Sequence, residues 1–449
     1  MDAAYLCFLL LGTGALLPWN ALITAADYWE SVFPGRHTDR LLTVSYLPVN
    51  LATVSAMVCL HGAVRPRLRI QAGLSGFTLA LAAVTLMNHS SGAAAALAAL
   101  LALVAACGAC DGLASGALYG EAAVLSSRYT QALATGNSLS GIAVSLLRLG
   151  TKATLPDSPD GLRRSANLYF CISAAACLGC VLLYSWVLPR LPGVRRRREA
   201  ALAAALLRYG PLPDALPPSE YGEVAEEAGE AVPKIRHPDA MDGGQGQQAV
   251  LDAEQPAVNG STVTLHRRQQ QQAGEAAPLL GEAQRSSVAL LRRMWHLALA
   301  NGLVFIVTLS IFPGVLAEDL HSPQLGSWYP ILLLTAYNCA DAAGKTASGW
   351  QPLRLRDDQA ILAAAAARAL FIPAFRLAAV SRAGVPAVLL LTAALGSSNG
   401  FVCACAMIRA PSTVPPAAAG LAGNLMVLSL VLGLCLGAAA SFLWLLLPA

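Results

Sequence analysis

Charged residues are scarce in this chain. Only 12% of its 449 residues are Asp, Glu, Lys or Arg, whereas a soluble domain carries about 25%. Histidine is rarer still, with seven in the whole chain, and aromatic residues make up 6%. The formal net charge is only +4 and the basic residues are scattered, which argues against a nucleic-acid partner. Hydrophobic residues instead reach 56%, with a mean hydropathy of +0.55, which is typical of a membrane protein.

Motifs of catalysis and ATP hydrolysis are also missing. The histidines include no pair on one helix face, and the chain has no Gly-x-x-x-x-Gly-Lys-Ser/Thr phosphate-binding loop. We therefore predict neither an enzyme nor an ATP-driven pump, and we expect no cofactor. The cysteines include closely spaced pairs, but these lie in apolar stretches without supporting histidines, so they predict small buried side chains rather than a metal site. Any transport would run on the gradient of the solute or of an ion.

Apolar stretches of about 20 residues recur along nearly the whole chain, and each is long enough to cross a hydrocarbon core of about 30 Å. They predict about eleven membrane-spanning helices. The length and spacing of these stretches are typical of a multi-pass membrane protein. Their approximate bounds are 5–26, 41–62, 69–88, 93–122, 130–151, 166–189, 292–316, 325–349, 359–380, 384–408 and 416–446.

The segment 190–290 has a different composition. It begins with four consecutive arginines, continues rich in Pro and Glu, and contains a run of glutamines, a composition that cannot bury a core. The predicted architecture is therefore an all-α membrane protein of two bundles. A six-helix bundle at 1–189 is followed by a cytoplasmic, largely disordered loop at 190–290 and a five-helix bundle at 291–449. Two bundles facing each other across a central cavity are typical of transporters.

The loops predict the orientation of the chain. With a cytoplasmic amino terminus most loop arginines fall on the inside, and an odd number of spans then places the carboxyl terminus on the extracellular or lumenal side. The plasma membrane is the default expectation. The central loop also contains Glu275, Leu279 and Leu280 in the acidic-dileucine arrangement that adaptor proteins read, which leaves a vacuolar or endosomal membrane open.

Asp341 and Lys345 stand inside a long apolar run, within the eighth predicted span. An ionisable residue at bilayer depth costs about 2.5–3.5 kcal/mol, and such residues normally face the interior of a bundle or a water-filled path. Their four-residue spacing puts both on one helix face, where each offsets the charge of the other. We interpret the pair as part of a solute site.

The fourth predicted span combines acidic residues with a glycine stripe. Asp111 lies at mid-depth, one turn before Ser115, and is a candidate functional carboxylate. Glu121 lies near the cytoplasmic end of the span, where an interfacial position also explains it. Three glycines share one helix face and predict close packing against a neighbouring helix: Gly112, Gly116 and Gly120.

Several motifs, in order along the chain, resemble those of the equilibrative nucleoside transporters, with some features of their plant and green-algal members. The motif residues are Leu11–Asn20, Arg128–Gly136, Ser310–Asp319, Leu325–Tyr329, Tyr337–Gly344, Gly400-Phe401, Ala410-Pro411 and Gly420–Asn424. The similarity covers nearly the whole chain outside 190–290. It implies a major-facilitator-like fold of eleven spans, alternating access, and nucleosides or nucleobases as substrates.

The resemblance also implies roles for individual residues. Trp19 would line the pocket for the base, with Leu16 and Ile23 beside it. Asp341 would accept hydrogen bonds from the ribose hydroxyls, and Lys345, one turn on, would assist it. Asn338 would lie on the same face of the eighth span.

Two positions depart from the family pattern. Lys345 replaces the usual arginine, which keeps the charge but loses the planar fork of donors. Ser115 replaces the usual glutamine, so that a hydroxyl of shorter reach would face the base. Both departures bear on the substrate range more than on the fold.

Facilitated diffusion is the mechanism that we expect, and two alternatives stay open. Coupling to protons through Asp111, Glu121 or Asp341 would give uphill uptake. In the second alternative, the protein is a membrane sensor or scaffold without transport activity. Ser115 and Lys345 would then indicate a substrate site that has lost its function.

Overall fold

The computed structural model describes residues 2–36, 38–61, 63–87, 93–155, 158–209, 261–311, 322, 324–326 and 328–441. These described residues form helices and their connections, with no β-strand among them. Two compact units are present: Met1–Ala201 together with Ala283–Ala449 forms the first, and Leu202–Glu282 forms the second. Every residue of the candidate site belongs to the first unit.

The helices, numbered along the chain, are α1 (Ala3–Thr24), α2 (Ala26–Val32), α3 (Thr38–Cys59), α4 (Pro66–Leu86), α5 (Ala93–Leu125), α6 (Ser127–Thr154), α7 (Pro159–Leu182), α8 (Pro192–Tyr209), α9 (Ser261–Ile311), α10 (Trp328–Ala347), α11 (Asp358–Ala367), α12 (Phe371–Val380), α13 (Val385–Arg409) and α14 (Ala419–Ser441). A π turn, Leu183–Val187, and a 3-10 turn, Leu188–Arg190, extend α7. Another 3-10 turn, Arg368–Leu370, joins α11 to α12.

Several helices begin at a residue whose side chain satisfies a free backbone N–H. Asp2 caps α1 by accepting from the backbone N–H of Ala4 at 3.2 Å. Asp357 caps α11 by accepting from the N–H of Ala360 at 2.8 Å. Ser158 caps α7, and Pro159 at the first helical position needs no partner for its nitrogen. Such caps fix where the chain leaves a loop and enters the bundle.

Nine stretches of the described chain are long and apolar enough to cross a membrane, so the protein is an integral, multi-pass membrane protein. They are Ala3–Thr24, Arg40–Cys59, Pro66–Leu86, Ala93–Leu125, Pro159–Arg190, Ser286–Ile311, Asp358–Val380, Val385–Thr413 and Ala419–Ser441. Two of the eleven stretches that we predicted to span are helical but are not among these nine. They correspond to α6 and α10, which contain Arg148, Lys152, Asp341 and Lys345 among other polar residues.

Glycines bring α6 and α10 close to their neighbours. A Cβ atom on Gly136 would overlap the carbonyl oxygen of Leu9, so α1 and α6 touch backbone to backbone. A Cβ on Gly400 would overlap the carbonyl oxygen of Asp341 in the same way, at the contact of α10 with α13. Small residues at such crossings supply the van der Waals contact that holds membrane helices together.

Both flanks of the predicted loop 190–290 are helical, where its composition led us to expect disorder. α8 covers Pro192–Tyr209, and α9 begins at Ser261. Contacts with the bundle explain α8, because Arg198 pairs with Glu121 of α5 and Arg197 donates to the carbonyl of Leu125 at 3.0 Å. The composition of the segment alone does not predict these contacts with α5.

Some sequence-based predictions lie outside the described residues. The central part of the loop, 210–260, is one, and the part of the Ser310–Asp319 motif that follows Ile311 is another. The dileucine residues Glu275, Leu279 and Leu280 fall within the backbone of α9, but their side chains are outside the description.

Candidate solute-binding site

Asp341 on α10 is the centre of a buried polar cluster. Its Oδ2 lies 2.9 Å from Nζ of Lys345, and both side chains are less than 10% exposed. The same oxygen accepts a hydrogen bond from the Ser138 hydroxyl of α6. Its Oδ1 accepts from Nδ2 of Asn399 on α13 at 2.7 Å. Three helices therefore supply donors to one carboxylate, which compensates part of the cost of burying the charge.

A second layer of polar side chains orients Asn399. Its Oδ1 accepts from the Thr308 hydroxyl of α9 at 2.8 Å, and that hydroxyl accepts from Nη2 of Arg368 at 2.7 Å. Because the ionised Asp341 carboxylate can only accept, the Asn399 amide turns its NH2 towards Asp341 and its Oδ1 towards Thr308, whose hydroxyl also lies 2.9 Å from the carbonyl of Val304. Arg368 is 2% exposed and is held in turn by the carbonyl of Leu395 at 3.0 Å.

Polar contacts continue along the crossing of α6 and α10. Asn338 donates to the Ser145 hydroxyl at 2.9 Å and to the carbonyl of Gly141 at 3.3 Å. On the other side of Asp341, Nε2 of Gln131 donates to the carbonyl of Lys345 at 3.3 Å. Asn338 thus belongs to the contact between α6 and α10 and is not a hydrogen-bond partner of Asp341 in this structure.

Asp111 on α5 is the centre of a second buried cluster. Its Oδ2 accepts from Nδ2 of Asn50 at 2.6 Å and from the Tyr46 hydroxyl at 3.0 Å, both on α3. Its Oδ1 accepts from the Ser115 hydroxyl. The ring of Trp19 lies 4.3 Å from the ring of Tyr46, tilted by 34°, so α1 reaches the same cluster. Aromatic pairs at this separation are favourable.

One turn of α6 contacts Asp341 and also residues on α1 and α5, the helices that carry Trp19 and Asp111. Asn137 donates to the Tyr119 hydroxyl of α5 at 3.1 Å, Ser138 donates to Asp341, and the Ser140 hydroxyl accepts from Nδ2 of Asn20 at 2.7 Å. Asn20 directly follows Trp19 in α1. The Oδ1 atom of Asn137 is buried and has no hydrogen-bond partner in the described part of the protein. The side chains of Trp19, Leu16 and Ile23 are partly exposed along one face of α1. The turn 137–140 therefore contacts both Asp341, predicted for the sugar, and Asn20, which is adjacent in α1 to Trp19, predicted for the base.

Glu121 lies apart from both clusters. It accepts from the Tyr184 hydroxyl at 2.7 Å and pairs with Arg198 of α8, so it joins the end of α5 to α7 and α8.

The three glycines of α5 lie at helix crossings. A Cβ on Gly112 would lie 2.7 Å from Cβ of Thr53 on α3, and a Cβ on Gly120 would lie 2.9 Å from the carbonyl oxygen of Gly420 on α14. Gly116 faces Asn424 of α14 and Arg69 of α4.

The sequence analysis did not single out several members of these clusters. Ser138, Tyr46, Asn50 and Thr308 are polar residues of ordinary types, and only the packing reveals that they face a carboxylate. Arg368 and Asn399 carried a usable signal, because a cation and an amide inside apolar stretches need partners. That signal does not identify the partner.

Comparison with known proteins assigns the chain to a family. Residues 101–221 and 242–446 match the profile of the family described as "Nucleoside transporter". The chain is 31% identical over 455 residues to Equilibrative nucleotide transporter 8 of Arabidopsis thaliana, an alignment that covers 98% of this chain and 95% of that protein. It is 32% identical over 452 residues to Equilibrative nucleotide transporter 1 of the same plant, which covers 98% of this chain and 86% of that protein.

Solved structures with a similar fold include a member of the major facilitator superfamily. The proton:xylose symporter XylE superposes with a TM-score of 0.59 at 13% identity, covering 99% of this chain and 96% of that one. The E. coli fucose:proton symporter FucP gives 0.54 at 14% identity, covering 98% and 91%. These similarities support the major-facilitator-like fold, and the sequence matches confirm the resemblance seen in the motifs. The chain therefore belongs to the nucleoside transporter family of membrane proteins.

Proposed function

We propose that this protein moves nucleosides across its membrane by alternating access, driven by the concentration gradient of the nucleoside itself. The observation that carries the proposal is the Asp341 carboxylate, buried beside Lys345 and bonded by α6, α10 and α13. A buried ion pair contributes little to stability once its desolvation is counted, so its presence in an apolar helix points to a use. The proposed substrate class includes nucleobases.

The ribose would bind at Asp341 and Lys345. A ribose hydroxyl can donate to the carboxylate and accept from the ammonium group, so it can take the place of the Ser138 hydroxyl without leaving either charge unpaired. Asn338 would join the sugar contacts by exchanging its present bonds to Ser145 and Gly141. Such an exchange loosens the crossing of α6 and α10, which is the kind of change that alternating access requires.

The base would bind near α1 and α5. Trp19 offers a partly exposed aromatic face, and Leu16 and Ile23 extend the apolar surface along the same helix. Ser115 and the unpartnered Oδ1 of Asn137 supply polar atoms for the edge of the base. Because Ser115 is already bonded to Asp111, its contact with a base should be weaker than that of a free amide. We therefore propose a substrate range that differs from that of family members with glutamine and arginine at positions 115 and 345.

The proposed architecture has about eleven spans, with α6 and α10 counted beside the nine apolar stretches, because a helix of 20 residues is long enough to cross a bilayer. Six spans up to α7 and five spans from α9 onwards would form the two bundles that rock against each other. The amino terminus would be cytoplasmic and the carboxyl terminus extracellular or lumenal, and the plasma membrane is the proposed location.

Uptake in transporter-deficient cells tests the function. We expect saturable uptake of radiolabelled adenosine and uridine, equal at pH 5.5 and pH 7.5 and insensitive to a protonophore, because a passive carrier depends only on the solute gradient. Surface labelling of the same cells serves as the control. Protein at the surface without uptake of either nucleoside or of a nucleobase would contradict transport and favour a sensor or scaffold.

Proton coupling is a second candidate, and Asp111 is the observation that favours it. Its hydrogen-bond partners in the described structure, Tyr46, Asn50 and Ser115, are all neutral, so protonation would remove a buried charge that no cation compensates. Glu121 suits this role less well, because Arg198 pairs with it. Uptake that rises at pH 5.5 and collapses with the protonophore would select this candidate over facilitated diffusion.

Sorting by the dileucine motif is a separate proposal. If adaptor proteins read Glu275, Leu279 and Leu280, replacing both leucines by alanine should shift a fluorescently tagged protein from vacuolar or endosomal membranes to the plasma membrane. An unchanged distribution of the double variant, at equal expression, would rule out the motif as a sorting signal.

A further inference from the structure

Arg69 is a buried cation without a counter-charge. It lies in the first turn of α4 and is 5% exposed. Within the part of the chain that the structure describes, its guanidinium forms no ion pair and no side-chain hydrogen bond, and its Nε is fully enclosed without an acceptor. Arg368 is buried to a similar degree and its Nε is also enclosed without an acceptor among the described residues, but its terminal nitrogens donate to Thr308 and to the carbonyl of Leu395.

Polar side chains lie close to Arg69. A Cβ on Gly116 of α5 would lie 3.3 Å from Nη2 of Arg69 and 2.8 Å from Oδ1 of Asn424 on α14, so both side chains lie over this glycine. Oδ1 of Asn424 is buried without a partner among the described residues. Nδ2 of Asn424 lies 3.5 Å from Nδ1 of His61, in the turn between α3 and α4. Desolvation and, secondarily, the charge of Arg69 lower the pKa of the His61 imidazole.

An isolated buried guanidinium is strongly unfavourable, because the lost hydration is not replaced. This cost is reduced when an anion binds between the donors. We propose that Arg69, Asn424 and His61 form a binding site for an oxyanion of the phosphate class. The guanidinium fork matches two phosphate oxygens, and a rotation of the Asn424 amide by half a turn presents Nδ2, a donor, in place of the unpartnered oxygen.

The phosphate could come from two sources. It could be a free anion that compensates Arg69, or it could be the phosphate group of a solute such as a nucleoside monophosphate. The second source rests on the proposed function, because Gly116 directly follows Ser115, which we assign to the base pocket. Charge-assisted hydrogen bonds to an arginine fork have the same chemistry in both cases, so the experiment must separate them.

The test is thermal unfolding of the purified full-length protein, titrated with inorganic phosphate at constant ionic strength. We expect a saturable rise of the unfolding midpoint for the wild type, because a ligand that binds only the folded state stabilises it. Arg69→Gln should weaken the apparent phosphate affinity by about 10–100-fold, the range expected for a hydrogen bond to a charged group. Arg67→Gln removes an exposed cation two residues away and should leave the affinity unchanged.

A second variant keeps the result interpretable if Arg69→Gln folds poorly. Asn424→Asp has the same shape and places a carboxylate beside Arg69. It should raise the midpoint in phosphate-free buffer and abolish the response to phosphate, two changes that a purely structural role of Arg69 would not produce. No saturable phosphate response in the wild type, or an equal response in Arg69→Gln, would overturn the proposal.

A parallel titration separates the two sources of phosphate. If the anion belongs to a solute, uridine 5′-monophosphate should raise the midpoint at lower concentration than phosphate and uridine added together. It should also inhibit uridine uptake by the wild type and not by Arg69→Gln. If phosphate alone saturates the effect and the monophosphate adds nothing, the site binds a free anion. Because the phosphate titration needs no transport, a failure of nucleoside uptake would leave its result intact.

Discussion

Replacing Asp341 by asparagine should abolish nucleoside uptake, with an expected loss of at least about 100-fold. The amide offers one acceptor where the carboxylate accepts from Ser138, Asn399 and Lys345, so an NH2 group would face another donor. The change also removes the counter-charge of Lys345, and breaking one side of a buried ion pair costs about 3–5 kcal/mol. Initial rates of adenosine and uridine uptake, normalised to surface protein, measure the effect.

A double variant separates binding from folding in this prediction. Asp341→Asn with Lys345→Met removes both charges together, and replacing a buried pair by neutral side chains is often tolerated. Surface expression should therefore recover in the double variant while uptake stays absent, because the ribose has lost its acceptor. Uptake near the wild-type rate in the double variant would show that Asp341 does not bind the substrate.

Replacing Gly136 by valine should prevent the protein from reaching the folded, monodisperse state. The new Cβ would overlap the carbonyl oxygen of Leu9 and lie 2.9 Å from the backbone nitrogen of Thr13, so no side-chain movement can relieve the clash. α1 and α6 would have to separate, with loss of contacts such as that between Asn20 and Ser140. Size-exclusion chromatography of detergent extracts and surface labelling are the measurements.

The same helix offers a matched control. Gly150 lies near the end of α6, is exposed, and has no atom within 4 Å of the position of an added Cβ. Gly150→Val should leave expression and the chromatographic profile unchanged, because a side chain at this exposed position meets no neighbouring helix. Equal behaviour of the two variants would mean that α1 and α6 do not require their close approach.

Composition and periodicity were sufficient to predict a helical multi-pass membrane protein. They were not sufficient to predict which side chains contact one another, as particular residues show. Asp341 and Lys345 were recognisable because ionisable residues are rare in apolar helices and their spacing is helical. Asn338 shares their helix, but its amide turns to Ser145 and Gly141 instead of to Asp341. Its partner Ser145 lies 193 positions away in the chain and is brought close by the packing of α6 against α10. No local sequence pattern contains that information.

Arg69 and Arg368 make the same point for charges. Arg368 is a single arginine in an apolar stretch, where a charge needs partners, whereas Arg69 follows Arg65 and Arg67 and the sequence predicts a loop arginine there. Arg368 meets that need through Thr308 on α9, whereas Arg69 lies against a glycine and an asparagine and has no ion-pair partner among the described residues. The difference depends on which helices cross beside each arginine. It also makes Arg69 a candidate for an external anion.

By itself, the sequence determined that this is an all-helical, multi-pass membrane protein of the nucleoside transporter family. The length of hydrophobic stretches, the helical spacing of residues and the order of motifs are local properties, so they can be read directly from the sequence. Only the tertiary structure decided which donors surround Asp341 and Asp111, that the flanks of the central segment are helical, and that one turn of α6 contacts Asp341, Tyr119 and Asn20. The physical reason is that each of these features rests on contacts between helices far apart in the chain, where close backbone approach and hydrogen-bond direction are set by packing.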